Sequence, residues 1–470
     1  MKKRYDNVFK IKLKDGAQGF LENHFSGESI NYRQIIAIFL PILVDQAFLV
    51  CLNMVNTIMI SSSGMASISA VNMVDSLNLF LLNVIIAVSV GGTVVVAQYK
   101  GKGNDAMVSK AAASTVSSVL LLSLFISILI IVFHASILNL LFGRAQADVF
   151  NNAKIYIIGS SVSYSFFAVK EAICGALRGV GKTKPSLALS LIMNLSYVLL
   201  NLLFINTLHM GVLGMSISMN ISRFLGAACA FFYLTKLEID PLFKIKELFY
   251  FNFLMLKKIL YIGLPFAAEQ MFFNGGKILT QTFIVSLGTY ALATNAICGS
   301  IMGIFQIPAS ALCLTVITVI GQCIGRRDIK DARKFIRSFT RLSIFSFALV
   351  GLIVLPLLHP IILLFHPPAQ IIPDITKIML VSYFGLLLAW SASFLTPSAL
   401  RAAGDSKFTF IFSMLSMWLI RVVLGYILGI VLAGGIFGVL MAMNIEWFVR
   451  GLIFTCRSRG KKWYQHCLID

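Results

Sequence analysis

The segments LPILVDQAF (40–48) and LPFAAEQMF (264–272) decide the fold, because they are two copies of one pattern. At a constant offset of 224 residues Leu40 aligns with Leu264, Pro41 with Pro265, Asp45 with Glu269 and Gln46 with Gln270. Three further pairs follow at that offset or one residue less: VVVAQYKGKGND (94–105) with TVIGQCIGRRD (318–328), ALRGVGKTK (176–184) with ALRAAGDSK (399–407), and GMSISMNI (214–221) with GVLMAMNI (438–445). Four colinear matches indicate an internal duplication.

Composition places the duplicated chain in a membrane. Of its 470 residues 58% are hydrophobic and 12% are charged, and the mean hydropathy is +0.88. An ordinary soluble domain is about 25% charged. Apolar runs long enough to cross ~30 Å of hydrocarbon recur from residue 34 to residue 457, six in each copy. The sequence therefore predicts an all-α polytopic membrane protein with twelve transmembrane helices.

An even number of spans in each copy gives both copies the same orientation. They are then parallel repeats, related by a pseudo-twofold axis along the membrane normal, with a cleft between two six-helix bundles. The predicted division is a cytoplasmic N-terminal segment (1–33), an N-terminal bundle (34–235), a cytoplasmic linker (236–256), a C-terminal bundle (257–456) and a cytoplasmic tail (457–470).

Basic residues are concentrated in alternate loops. Most of the 39 Lys and Arg lie in the two terminal segments and in the loops 98–112, 176–186, 234–258, 322–341 and 400–407. By the positive-inside rule we expect both termini of this multi-pass plasma-membrane protein to be cytoplasmic. The net charge of +20 then reflects this topology and attraction to an anionic leaflet. No basic face with aromatic platforms predicts a nucleic-acid partner.

Asp45 and Glu269 are carboxylates at equivalent depths, near the midplane of the first and seventh predicted spans. A charged side chain there costs roughly 2.5–3.5 kcal/mol or more, so it usually faces a cavity or a partner. A membrane carboxylate can bind H+ or Na+, and its neutralisation changes the energetics of its helix. We expect the pair to bind the coupling ion or to compete for the charge of a bound solute. The structural alternative is a fixed partner such as Lys277.

Two further polar residues are predicted to assist this pair. Asn56 follows Asp45 by eleven residues and lies on the same face of the helix. Asp75 lies between Asn72 and Asn78, in a polar patch suited to a wet cavity. Both are candidates for contact with the coupling ion or the substrate.

Other residues within the spans are expected to pair or to bend the helices. Glu171 lies seven residues before Arg178, and we predict that the two form an ion pair or a gate. Lys277, in the second copy, is a further candidate for such a role. Pro41 and Pro265 each lie four residues before an acid. Proline frees a backbone carbonyl and permits a kink, which a rocking transporter can use.

The sequence predicts no metal, disulfide or nucleotide site. The eight Cys show no CxxC spacing and the six His show no ligand spacing. The segment 176–184 has Ala176 where a phosphate-binding loop needs glycine, so it is predicted to be a cytoplasmic turn. A membrane-embedded prenyl or acyl transferase would need clustered Asp, or His with Asp, at a membrane face. We expect no enzyme and no cofactor other than the coupling ion.

Residues 30–460 resemble the multidrug and toxic compound extrusion (MATE) family. The resemblance rests on LPILVDQ and GLPFAAEQ, on Gln-x-x-Gly after the second and eighth spans, and on LRGVGKTK and LRAAGDSK. It implies a V-shaped pair of six-helix bundles that exports organic, often cationic, compounds in exchange for Na+ or H+. Under this resemblance Glu269 is the family's helix-7 acid, and Asp45 resembles the helix-1 acid of the bacterial DNA-damage-inducible-like branch.

Two departures from the family pattern concern its cation site. Many members have VDT in helix 1 where this chain has MVNT, so Asn56 replaces that aspartate. The acid often found in helix 10 is missing from LVSYFGLLLAWSASFLTP (380–397). The best-known cation site of the family therefore does not carry over intact.

The predicted function is secondary active antiport, exporting hydrophobic, cationic organic compounds in exchange for H+ or Na+ by alternating access. The expected partners are small organic cations or amphiphiles and the lipid bilayer, without an obligate protein partner. The alternative is a flippase for a lipid-linked saccharide or another amphiphile, which would favour a strongly cationic cleft and extra helices. A passive channel would differ from both because its flux needs no counter-ion gradient.

Overall fold

A computed structural model describes the backbone of residues 19, 21–28, 30–61, 65–142, 146–234 and 252–466. Within these ranges the side chains of 53–61, 65, 66, 68, 141, 142 and 147 are outside the description. The side chain of Asn56 and most of the predicted linker 236–256 therefore lie outside the described residues. Throughout the described ranges the regular structure is helical.

The N-terminal bundle contains six long helices in chain order. They are α1 (Tyr32–Ser61), α2 (Met65–Lys102), α3 (Asp105–Phe142), α4 (Ala147–Gly179), α5 (Thr183–Thr207) and α6 (Gly211–Phe232). Helix α4 packs against α2, α3 and α6 and forms the centre of the bundle. A buried core of Val, Ala, Ile and Leu side chains joins these four helices.

The C-terminal bundle repeats this order. Its helices are α7 (Phe253–Ser286), α8 (Thr289–Gly325), α9 (Ile329–Val354), α10 (Ala369–Ala402), α11 (Ser406–Val431) and α12 (Gly435–Arg459). Two of them contain π-helical sections, at Leu386–Leu395 in α10 and at Ser416–Val422 and Ile427–Val431 in α11. These sections wind more widely than an α-helix and change which residues share a face.

Ten of the twelve helices are long and apolar enough to cross a membrane by length and composition alone. Helices α4 and α7 are not among the ten, and both contain polar and charged residues, including Glu171 and Glu269. Both helices nevertheless pack within their bundles, and both of these acids are buried. Charge buried inside a bundle is compatible with a membrane position where it is paired.

Several helices extend past the apolar runs and into the predicted loops. The loop predicted at 322–341 is mostly helical, because α8 runs to Gly325 and α9 begins at Ile329. The Asp328 side chain caps α9 by accepting a hydrogen bond from the Asp331 backbone at 2.9 Å. The hydrophobic runs identified only the parts of these helices that need an apolar surrounding.

The two bundles meet at the face where α1 and α7 begin, which we call the entry face. There α2 crosses α8 with backbone close to backbone: a β-carbon at Gly101 would overlap the Gln322 carbonyl, and one at Gly325 would overlap the Gln98 carbonyl. Small residues permit such an approach between helices. The two predicted Gln-x-x-Gly motifs therefore form the crossing itself.

Reciprocal hydrogen bonds hold this crossing. Gln98 donates its side-chain amide to the Ala402 carbonyl at 2.9 Å, and Gln322 donates to the Gly179 carbonyl at 3.1 Å. Each glutamine thus reaches the last turn of a helix in the other bundle. We call Gln98, Gly101, Gln322 and Gly325 the seam.

The two prolines that were predicted to permit a kink lie inside continuous helices, Pro41 in α1 and Pro265 in α7. A proline leaves the carbonyl four residues earlier without its helical partner. The Thr183 hydroxyl donates to the Ala37 carbonyl at 3.1 Å, and the Ser406 hydroxyl donates to the Tyr261 carbonyl at 3.0 Å. The first residues of α5 and α11 therefore satisfy the two carbonyls that the prolines free.

Replacing Gly325 with alanine tests the seam. We expect Gly325→Ala to destabilise the protein by about 1–3 kcal/mol, because the new methyl group meets a backbone carbonyl that cannot move alone. Gly303→Ala in the same helix is the control, since a β-carbon added there would meet nothing within 4 Å. Alanine there is expected to be neutral or to stabilise by up to ~1 kcal/mol. Equal melting temperatures for the two variants in detergent would contradict the crossing.

Candidate functional site

Glu269 is buried halfway along α7, with only 8% of its surface exposed. Arg401 at the end of α10 donates to both carboxylate oxygens, at 3.2 and 3.1 Å. The Ser413 hydroxyl of α11 donates to the same carboxylate at 2.9 Å. Three helices of the C-terminal bundle therefore meet at one neutralised acid.

The partner of Glu269 is Arg401 and not Lys277, the residue that the structural alternative named for this role. Arg401 is itself buried, donates to the Ser398 hydroxyl at 3.0 Å and lies 4.3 Å from the centre of the Phe266 ring. Lys277 follows Glu269 by two helical turns, and its ammonium lies over the Phe273 ring at 5.0 Å. The distance along the helix is too long for a direct pair.

Asp45 occupies the equivalent position on α1 but has a different environment. It is half-buried, and its hydrogen-bonding neighbour is Ser190 of α5, which aligns with Ser413 in the repeat. Its Oδ1 atom has no hydrogen-bond partner, and within the described residues no basic side chain forms a salt bridge with it. Both copies therefore contain the serine, but within the described residues the salt bridge to the acid is found in the C-terminal copy and not in the N-terminal one.

The basic residues near Asp45 are bound to another acid. Glu171 accepts from Lys170 at 3.1 Å and forms a salt bridge with Arg178, and all three residues lie on α4. The predicted pair of Glu171 with Arg178 is confirmed. Lys170 and Arg178 still act on Asp45 electrostatically, but across the Glu171 carboxylate that neutralises part of their charge.

One replacement explains why the two bundles differ. Arg178 and Arg401 are equivalent in the repeat, and the position equivalent to Glu171 is Phe394. Because Phe394 offers no charge, Arg401 is free to pair with the acid on α7. In the N-terminal bundle Glu171 binds the arginine, and Asp45 is left without a salt bridge.

Asp75 lies in a separate network of the N-terminal bundle, between α2, α4 and α6. The Tyr156 hydroxyl donates to its Oδ1 atom at 2.9 Å and the Asn78 amide donates to the same atom at 3.1 Å. Tyr164 in turn donates to Asn78, and Arg223 acts on Asp75 electrostatically. The structure thus brings Asn78 to Asp75, while it does not bring Asp75 into hydrogen-bonding contact with Asp45.

A group of cations surrounds the Phe273 ring in the C-terminal bundle. The Lys277 ammonium lies 5.0 Å from the ring centre, the Arg450 guanidinium 5.3 Å and the Arg421 guanidinium 5.8 Å. In the part of the chain that the structure describes, Glu446 is the one acid in contact with the group, 3.1 Å from Arg450. We call Lys277, Arg421, Arg450 and Glu446 the Phe273 cluster.

Sequence reasoning missed the roles of Arg401 and Arg450. For Arg401 a signal was present, because the repeat aligns it with Arg178, a residue already predicted to pair with an acid. For Arg450 the signal was the spacing of four residues from Glu446, which places the two on one helical face. Both signals indicate a partner, but neither shows that three cations converge on Phe273.

The arrangement gives the two repeated acids different chemistry. A half-buried carboxylate with an unpartnered oxygen, as at Asp45, can accept a proton or a cation without breaking a salt bridge. The Glu269 carboxylate can do so only after Arg401 moves away or finds another anion, because the guanidinium occupies both of its oxygens. Of the two carboxylates, Asp45 is the one with an oxygen that no hydrogen bond or salt bridge occupies in this conformation.

Comparison with known proteins gives a consistent result. A family model described as MatE matches residues 41–204 and again residues 265–427, beginning 224 residues apart, as the internal repeat does. The transporter YisQ of Bacillus subtilis (strain 168), described as uncharacterized, is 24% identical across 90% of this chain and 93% of its own length. The "Probable multidrug resistance protein NorM" of Thermotoga maritima is 24% identical across 93% of this chain and 94% of its own.

The fold is shared with solved structures. One is described as the outward-facing conformation of a multidrug resistance MATE family transporter of the MOP superfamily; it matches with a TM-score of 0.84 at 17% identity, over 91% of this chain and 94% of that one. This likeness confirms the predicted all-α fold of two six-helix bundles.

Stability measurements can test the difference between the two acids. We expect Glu269→Gln to destabilise the protein by about 3–5 kcal/mol, because it leaves the buried Arg401 charge without its carboxylate. Asp45→Asn is the matched control from the other repeat. It removes no salt bridge and keeps an acceptor for Ser190, so a loss below ~1 kcal/mol is expected.

The double variant Glu269→Gln/Arg401→Met provides the second comparison. Because it removes the unpaired charge, we expect it to melt at a higher temperature in detergent than Glu269→Gln alone. If the double variant is the less stable of the two, or if Asp45→Asn and Glu269→Gln melt alike, the pair does not carry the stability assigned to it.

Proposed function

The chain belongs to the MatE family, the multidrug and toxic compound extrusion transporters, and we propose that it is a secondary active antiporter. It exports hydrophobic organic compounds, cations among them, from the cytoplasm in exchange for H+ or Na+ by alternating access. The ion and the substrates alternate at the acids of the two bundles. We propose no catalytic activity, no cofactor apart from the coupling ion and no obligate protein partner.

The observation that carries this proposal is the Asp45 carboxylate within the N-terminal bundle, one oxygen of which has no partner. Its free Oδ1 atom and its lack of a salt bridge favour reversible binding of a proton, of Na+ or of a substrate's positive charge. Glu269 participates when Arg401 releases it. Asp75 assists from its own network, and we retain the same supporting role for Asn56.

The seam indicates which side of the transporter is closed. The hydrogen bonds from Gln98, Gln322 and Thr318 between the bundles all lie near the entry face. We propose that this face and both termini are cytoplasmic, as the distribution of basic residues predicts. The conformation is then closed to the cytoplasm, and the bacterial cytoplasmic membrane is the proposed location.

The flippase alternative is not favoured by the relatives, several of which have names that refer to multidrug resistance. A passive channel differs from an antiporter in one measurable respect, the need for a counter-ion gradient. The test of the proposed function is therefore a measurement of coupled flux.

Uptake of the fluorescent cation ethidium into proteoliposomes tests the proposal under Na+ and H+ gradients imposed separately. We expect one of the two gradients to drive uptake in the wild-type protein. Asp45→Asn is expected to reduce the driven rate by about tenfold or more, because an amide cannot bind the ion by charge. Glu269→Gln is expected to reduce it as well.

Asp374→Asn is the matched control for this measurement, because Asp374 is an exposed acid near the start of α10. It should transport at the wild-type rate. If neither gradient drives uptake, the antiport proposal is wrong. If Asp45→Asn and Glu269→Gln both keep the wild-type coupled rate, ion coupling does not reside in the two acids.

A further inference from the structure

The Phe273 cluster carries more positive charge than its surroundings neutralise. Glu446 is fully buried, contacts Arg450 at 3.1 Å and accepts a hydrogen bond from Ser416 at 3.3 Å. Among the described residues neither Lys277 nor Arg421 forms a salt bridge with an acid. Glu269 does not compensate them, because it is paired with Arg401. Within the described part of the bundle, two positive charges are therefore left without a partner.

Hydrogen-bond donors of the cluster are also left unused. Arg450 is 2% exposed; its Nε atom donates to Ser393 at 2.7 Å, but its Nη2 atom has no partner. The Nε atom of Arg421 and the indole nitrogen of the neighbouring Trp447 have none either. Unpaired buried donors are costly, so Arg421 and Arg450 keep hydrogen-bonding capacity for an acceptor group.

The fold does not require these charges. At an offset of 224 residues Lys277 corresponds to Asn53, Glu446 to Ser222 and Arg450 to Gly226. The N-terminal bundle thus builds the same six helices without the cluster. The helical architecture that the two bundles share therefore does not account for the cluster.

The surroundings of the cluster are aromatic and reachable. Lys277 is exposed and Arg421 is partly exposed, so a ligand can reach the cluster from the side formed by α7 and α11. The Phe394 ring lies 4.2 Å from the Arg450 guanidinium and in edge contact with Phe273 at 6.3 Å. Cations next to apolar rings fit a ligand with an apolar body and one anionic head.

From this geometry we propose that the Phe273 cluster binds the anionic group of a hydrophobic organic acid: a carboxylate, sulfonate or phosphate. Lys277 and Arg421 neutralise the head group, Arg450 contributes its free Nη2 donor, and the aromatic rings contact the apolar body. The inference rests on the proposed export function, which it extends from organic cations to compounds that carry a negative charge. The acids of the N-terminal bundle and the cluster then receive charges of opposite sign.

Equilibrium binding with three matched probes tests this site. The probes are 2-naphthoate, 2-naphthylmethylammonium and 2-naphthalenemethanol, which share one ring system and differ in charge. Isothermal titration calorimetry with the full chain in non-ionic detergent requires no ion gradient. A failure here is therefore distinguishable from a failure of antiport. We expect naphthoate to bind most tightly of the three.

Charge removal at the accessible edge identifies the site. Lys277→Gln and Arg421→Gln are each expected to weaken naphthoate binding about tenfold, the effect of losing one charge-assisted contact. Lys257→Gln is the matched control, because it makes the same change at an exposed position in the first turns of α7. Naphthoate binding as tight in both cluster variants as in the wild type overturns the proposal. So does tighter binding of the ammonium probe by the wild-type protein.

The anionic head could belong to a dissolved acid or to a lipid. Repeating the titration in nanodiscs of phosphatidylcholine, with and without phosphatidic acid, distinguishes the two sources. Loss of naphthoate binding only when phosphatidic acid is present assigns the site to a lipid phosphate. Unchanged binding assigns it to a free organic acid. Absence of naphthoate binding in both nanodiscs and detergent overturns the site.

Discussion

The structure depends on one close contact, the crossing of α2 and α8 at the seam. Two helices approach until glycine is the only residue that fits, and each glutamine uses its amide to bind the terminal carbonyl of a helix in the opposite bundle. Hydrogen bonds of this kind replace the hydrophobic attraction that is missing between apolar helices in lipid. The helices α2 and α8 carry two copies of the same Gln-x-x-Gly motif. The interface is therefore self-complementary.

Duplication has preserved the backbone and changed the charges. Serine at 190 and 413, arginine at 178 and 401, and an acid at 45 and 269 occur in both bundles. A single difference, glutamate or phenylalanine on the fourth helix of the bundle, decides which carboxylate the arginine binds. The pseudo-symmetric fold therefore contains two chemically distinct interiors, and a charge argument made for one bundle does not transfer to the other.

Much of the fold could be predicted from the sequence, and less of the site. The repeat offset, the equivalent positions of Asp45 and Glu269 on α1 and α7, and the pairing of Glu171 with Arg178 follow from spacing along the sequence. The pairing of Glu269 with Arg401 and the Phe273 cluster depend on contacts between helices. Arg421 also lies in a π-helical section, where a period of 3.6 residues gives the wrong face. Helix lengths were underestimated because their polar ends extend past the apolar runs.

The carbonyls freed by Pro41 and Pro265 have a mechanical consequence. On the N-terminal side of each proline, a hydroxyl at the start of α5 or α11 binds the helix through a hydrogen bond. Beyond Pro41, α1 continues for about 20 residues, a lever ~30 Å long. A bend of about 20° at the proline displaces its far end by roughly 10 Å, whereas Asp45, one turn past the pivot, moves by only ~2 Å. The two carboxylates therefore lie where a large movement of the helix tips displaces them only slightly.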